Sequence, residues 1–176
     1  MNDQPKQVLS ILVEDRFGEL ARIVGLFSGR GFNIDSLAVN TTLEPGFSRV
    51  VLTTRGDDKV IEQVLKQLNK LVRVRKVTHL VGDRHYEREL CLATIRAAGP
   101  KAREELERVV RLSGARVVSH HPTSFTIELT GTSDQVTEFL DLCRPLGIQE
   151  MVRSAPIALP KPTSDAESDK AADSAA

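Results

Sequence analysis

The chain has 176 residues, with 24 basic against 24 acidic side chains, 40% apolar residues and two cysteines. That length makes one large domain or two small ones, and the zero formal charge argues against a protein built to neutralise nucleic-acid phosphates. Cys91 and Cys143 are too few and too far apart for a disulfide scaffold or a CxxC zinc site and read as reduced core residues, and no apolar run approaches the ~20 residues that span a bilayer.

The first predicted element is a strand from Val8, with Leu9, Ile11 and Val13 on one face and Ser10 and Glu14 on the other. Leu12 suggests that the second face is also partly covered. The turn Glu14-Asp15-Arg16-Phe17-Gly18-Glu19 leads into a helix whose apolar stripe is Leu20, Ile23, Val24 and Phe27, ended by Gly29 and Gly31. The first N–H groups of such a helix have no internal partner and sit at the positive end of its dipole, so the turn is a place to hold a small anion. Gly18 lets a ligand approach the backbone, and Asp15 is available to cap the helix or to attract an ammonium group. A plain N-cap and a plain turn glycine are the competing reading of the same two residues.

Ile34 to Thr42 and Phe47 to Thr54 predict a hairpin through Glu44-Pro45-Gly46. Gly56-Asp57-Asp58 opens a second helix, with Val60, Ile61, Val64, Leu65, Leu68 and Leu71 inward, and Val72, Val74 and Val77 read as a closing strand. The order is βαββαβ, an antiparallel sheet with two helices on one face. After Gly82-Asp83-Arg84-His85 the pattern restarts. A strand near Glu89 to Arg96 precedes a helix with Ala102, Leu106, Val109 and Val110 inward, then strands at 115–119 and 124–130. Thr132 and Gln135 form a capping box for a last helix, and a final strand runs from Gly147 to Ile157. The fold class is therefore α+β, with two ferredoxin-like βαββαβ domains in tandem at 7–81 and 85–158, and a disordered tail at 159–176.

Chemistry-bearing constellations are few. His79 and His85, with Asp83 and Glu87, match no helical metal motif, and adjacent His120 and His121 before Pro122 point opposite ways on extended backbone, in or near a turn. Gly29-Arg30-Gly31 follows a helix and precedes a strand, the reverse of a dinucleotide fingerprint, and no Walker loop, nucleophile elbow or ordered triad is readable. No metal, cofactor or catalytic residue is expected in this chain. Arg73, Arg75 and Lys76 read as a solvated strand face.

The segments VEDRFGELARIVGLFSGRGFNIDSL and GDDKVIEQVLKQLNKLVRVRKV, continued by REL at Arg88 to Leu90 and LTGTSDQVTEFL at Leu129 to Leu140, resemble the small, regulatory subunit of acetolactate synthase, an ACT-domain family. The family usually has asparagine where Asp15 stands. The resemblance implies a cytoplasmic, non-catalytic partner of a large subunit, which would hold thiamine diphosphate, magnesium and FAD. It implies an ACT domain at 7–81 that dimerises side by side and binds valine or another branched-chain amino acid, with no nucleic acid or membrane involved. The effector carboxylate would meet the backbone N–H groups around Gly18, Glu19 and Leu20 of one subunit, with Asp15 and the Asn33-Ile34 segment at its ammonium group and side chain. Glu62, Gln63 and Gln67 would communicate with the large subunit, or else form an ordinary polar helix face. The alternatives are a stand-alone amino-acid-sensing ACT protein acting on a different enzyme and a small enzyme on a ferredoxin-like scaffold.

Overall fold

In the computed structural model, which describes residues 4–162, β1 (Lys6–Glu14) lies inside an antiparallel sheet of order β2-β3-β1-β4. The other elements of this half are α1 (Glu19–Ser28), β2 (Ser36–Thr41), β3 (Phe47–Arg55), α2 (Asp58–Leu68) and β4 (Val74–Leu80). Leu9 and Ile11 stand opposite Leu52 and Val50 on β3, and opposite His79 and Val77 on β4. The period of two puts these side chains on the face that the helices cover, where they join Ile23 and Phe27 of α1 and Ile61, Val64 and Leu68 of α2. Asp57 caps α2 by accepting the Val60 N–H at 2.9 Å.

Two details differ from the sequence reading. The row of α1 that turns inward is Glu19, Ile23 and Phe27, so Leu20 lies outside it. Val72 is not part of the closing strand: the N–H of Leu71 bonds to Leu68 and that of Val74 to Leu71, and this turn lifts Val72 into solvent.

The second half repeats the topology with β5 (His85–Arg96), α3 (Pro100–Ser113), β6 (Arg116–His121), β7 (Ser124–Gly131), α4 (Ser133–Cys143) and β8 (Ile148–Arg153), in the sheet order β6-β7-β5-β8. Its core joins Cys91, Ala93 and Ile95 of β5 to Leu106 and Val109 of α3 and to Val136, Phe139 and Leu140 of α4. The capping box of Thr132 and Gln135 is formed, and Gly114 ends α3 in the left-handed region at φ 65°. Both cysteines are free and buried. Burial pushes the Cys143 thiol up to about 11, with the neighbouring Cys91 adding to it. His120 and His121 end β6 rather than a turn, and the His120 ring lies 6.1 Å from that of Phe125.

The expected last strand is two strands. Ser154-Ala155-Pro156 interrupts it, proline lacking the N–H that a ladder needs. β9 (Ile157–Pro160) then pairs antiparallel with the first half of β5, Tyr86 opposite Leu159. Ala158 of β9 packs on Val8, Val51 and Leu80, which belong to the second face of the first sheet. Polar contacts tie the same junction: Lys6 Nζ donates to Glu87 Oε1 and Ser133 Oγ, each at 2.6 Å, and Ser133 and Arg153 donate to the buried Glu89. The tail expected at 159–176 starts too early: Leu159 and Pro160 pair with Tyr86 and His85 in β9 and the Lys161 N–H bonds to Arg84 O at 2.8 Å, while 163–176 lie outside the described residues. Among the described residues, no helix is long and apolar enough to cross a membrane.

Candidate functional site

The loop between β1 and α1 is held by main-chain bonds. The Asp15 N–H donates to Gly46 O at 2.7 Å, the Glu14 N–H to Arg73 O at 3.0 Å and the Arg16 N–H to Glu14 O at 2.9 Å. Gly18 then enters the helix at φ 87°, a conformation that costs an L side chain about 1–2 kcal/mol. A Cβ there would meet nothing within 4 Å, so the glycine is required by backbone conformation and the space in front of it is open.

No side chain caps α1, in contrast to α2 and α4. The Glu19 N–H reaches back to Arg16 O at 3.3 Å, whereas the amides of Gly18, Leu20 and Ala21 meet no protein acceptor among the described residues. The helix therefore presents unsatisfied donors and the positive end of its dipole to solvent. Asp15 is exposed beside them. Glu19 is 3% exposed, and its Oε1 accepts from Arg22 Nη1 at 3.0 Å and from Arg73 Nη1 at 3.1 Å. That buried, doubly paired carboxylate fixes the first turn of the helix and complements its dipole.

Asn33 and Ile34 lie elsewhere in the chain. They follow the far end of α1, whose ten residues span about 15 Å. Asn33 Nδ2 donates to Asp35 Oδ1 at 3.0 Å, its carbonyl accepts from Thr54 Oγ1 at 2.6 Å, and Ile34 packs against the first core. The six expected effector residues thus form two clusters at opposite ends of one helix. β2, which follows the second cluster, is an edge strand that pairs only with β3 among the described residues.

On α2, Glu62 and Gln63 are exposed, and Glu62 pairs with Lys66 at 2.6 Å. Gln67 is half-buried and lines a shallow depression between the helices with Gly25, Leu26 and Lys70. His79 Nε2 lies 2.8 Å from Gln7 Oε1, and burial lowers its pKa against the pull of Asp58. Periodicity alone did not reveal the Glu19–Arg73 pair, which joins residues far apart in sequence, or the junction through Lys6, Glu87 and Ser133.

A βαββαβ unit with an open β1–α1 loop, an uncapped following helix and a free outer edge on β2, followed by a second ferredoxin-like unit of the same topology, defines an ACT-domain protein with an added ferredoxin-like domain. Residues 9–76 match a family model described as "AHAS small subunit-like ACT domain", and residues 88–162 match one described as "Small subunit of acetolactate synthase". The chain is 45% identical over 154 residues to a probable acetolactate synthase small subunit of Archaeoglobus fulgidus, covering 88% of this chain and 96% of that one. It is 43% identical over 155 residues to the acetolactate synthase isozyme 3 small subunit of Salmonella typhimurium, covering 88% and 94%. The crystal structure of the acetolactate synthase small subunit from Thermotoga maritima superposes with a TM-score of 0.80 at 32% identity, covering 90% of this chain and 99% of that one. The chain belongs to the acetolactate synthase small-subunit family.

Proposed function

We propose that this chain is a non-catalytic regulatory subunit that activates the thiamine-diphosphate-dependent large subunit of acetolactate synthase and confers feedback inhibition by valine or another branched-chain amino acid. The observation that carries the effector reading is the uncapped start of α1, where Gly18 in the left-handed region leaves the amides of Gly18, Leu20 and Ala21 free beside an exposed Asp15. An amino acid has a carboxylate for the amides and an ammonium group for Asp15. A dimer formed by antiparallel pairing of β2 with its copy would bring the Asn33-Ile34 cluster of one protomer to the open loop of the other. The separation of the two clusters within one chain fits a site completed by a second copy.

Burying an isopropyl group contributes about 1.5–3 kcal/mol, so selectivity must also come from the polar ends and the closed interface. Asp15 supplies a charge for the ammonium group. In the free protein that charge remains hydrated, and closing the site over it without an ammonium group would be costly. Inhibition then follows by linkage: valine shifts the complex towards the state that binds valine better, by no more than its differential affinity. The cofactors of the reaction would sit on the large subunit. In an isothermal titration, valine should bind saturably to the native chain, and Gly18→Asp, which strains φ and sets a carboxylate before the free amides, should abolish the heat. Equal binding by the variant would remove the site from α1.

A further inference from the structure

The two faces of the first sheet are covered unequally. The helices pack on one face, while the other is met by β9, whose Ala158 rests on Val8, Val51 and Leu80. The strand period of two continues that second face through Leu12, Arg49 and Asn40, which stand side by side in the ladders of β1, β3 and β2. A groove of about 650 Å³ opens here, a volume suited to a small molecule. Leu12, Ala38 and Val51 line it on the sheet, and Ile157, Ala158 and Leu159 line it on β9.

Charge in the groove is not balanced. Arg49 is half-buried, its Nη1 donates to the Oγ of the buried Ser10 at 2.9 Å, and it forms no ion pair among the described residues. Lys76, opposite Leu12 on β4, is exposed and likewise forms no ion pair among the described residues. The carboxylate in the lining, Glu44, is already held by Arg75 at 2.5 Å. A guanidinium with spare donors on an apolar floor recruits a carboxylate through charge-assisted hydrogen bonds, and the floor itself gains by covering an aliphatic chain. An α-ammonium group would find no free carboxylate, and covering it unpaired is costly.

We propose that this groove binds an aliphatic monocarboxylate, with its carboxylate on Arg49 and its chain along Leu12, Ala38 and the β9 wall. The groove shares no residue with the effector site proposed at the start of α1, and its missing counter-charge for an ammonium group separates the two ligand classes. Because one wall is β9, which pairs with β5 of the second domain, the ligand touches both domains at once. Binding therefore stabilises the folded chain by linkage.

The test is an amide NMR titration of the full, isotope-labelled chain with hexanoate, and separately with acetate, which lacks the chain, and hexanol, which lacks the charge. Hexanoate should move the amides of Leu12, Asn40, Arg49 and Ala158 along one saturating curve, and acetate and hexanol should bind at least roughly tenfold more weakly. Arg49→Gln should weaken hexanoate by about tenfold or more. Since Arg49 also bonds to Ser10, a second variant leaves it in place: Ala38→Met narrows the floor and should weaken hexanoate as well. Gly18→Asp, at the other site, should bind hexanoate like the native chain. The proposal is overturned by the absence of a saturating shift at these amides, by acetate or hexanol binding as tightly as hexanoate, by native affinity in either groove variant that keeps a native spectrum, or by loss of binding in Gly18→Asp.

Discussion

At the scale of single residues, Glu19 shows how one side chain can hold a site it does not enter. Its carboxylate is buried, accepts from Arg22 and Arg73, and thereby anchors the turn that leaves the neighbouring amides open. Replacing it with alanine removes a charge-assisted pair and leaves Arg73 with only the longer contact to Glu14. Glu19→Ala should cost about 1–3 kcal/mol in a denaturant titration and weaken effector binding through disorder of the loop. A variant with native stability would show that the pair does not anchor α1. The sequence places the apolar stripe of this helix at Leu20, one residue from the inward row, because periodicity weighs hydrophobicity alone. It does not register that a carboxylate can turn inward when an arginine from the far end of the domain meets it. The same blindness hid Val72, whose type says strand interior and whose position in the Leu71–Val74 turn says solvent.

At the scale of elements, local chemistry was readable wherever local chemistry decides. The capping box at Thr132, the inward faces of α2 and α3, the hairpin through Glu44-Pro45-Gly46 and the βαββαβ order all follow from spacing, turn residues and caps within a few positions of one another. β9 was not readable as a separate element because its partner is the first half of β5, and pairing at that sequence distance leaves no local mark. What it does is set by Ala158, small enough to lie on Val8, Val51 and Leu80 and so cover part of the second face of the first sheet. The polar side of the same junction depends on pH. Burial alone would raise the Glu87 pKa, but hydrogen bonds from Lys6 and Ser133, with the charges of Lys6 and His85, hold the carboxyl below its ordinary value. A depressed carboxyl pKa contributes stability that is fully present above the unfolded-state value of 4.5 and is lost as pH falls through the folded value. Thermal melts below pH 4.5 should therefore fall more steeply for the native chain than for Glu87→Gln, and parallel slopes would remove Glu87 from the junction's pH response.

At the scale of the whole molecule, two units of one topology divide the work by what each leaves open. The first has an uncapped helix start and a free outer edge on β2; the second is joined to it by β9 and by the Lys6–Glu87–Ser133 contacts. The β1–α1 loop, where the effector is proposed to bind, is tied to the α2–β4 loop by Glu14 N–H to Arg73 O and to the β2–β3 loop by Asp15 N–H to Gly46 O. The coupling expected between the effector and the partner is about 1–3 kcal/mol, a change in either one's affinity of roughly 5- to 150-fold.

The most direct test is reconstitution: acetolactate formation by the purified large subunit from the same genome, measured with and without this chain and over a range of valine concentrations. The regulatory-subunit account predicts that the chain raises turnover, that valine inhibits only when the chain is present, and that Gly18→Asp keeps the stimulation while losing the inhibition. Equal turnover with and without the chain, or valine inhibition that does not depend on it, would contradict the account.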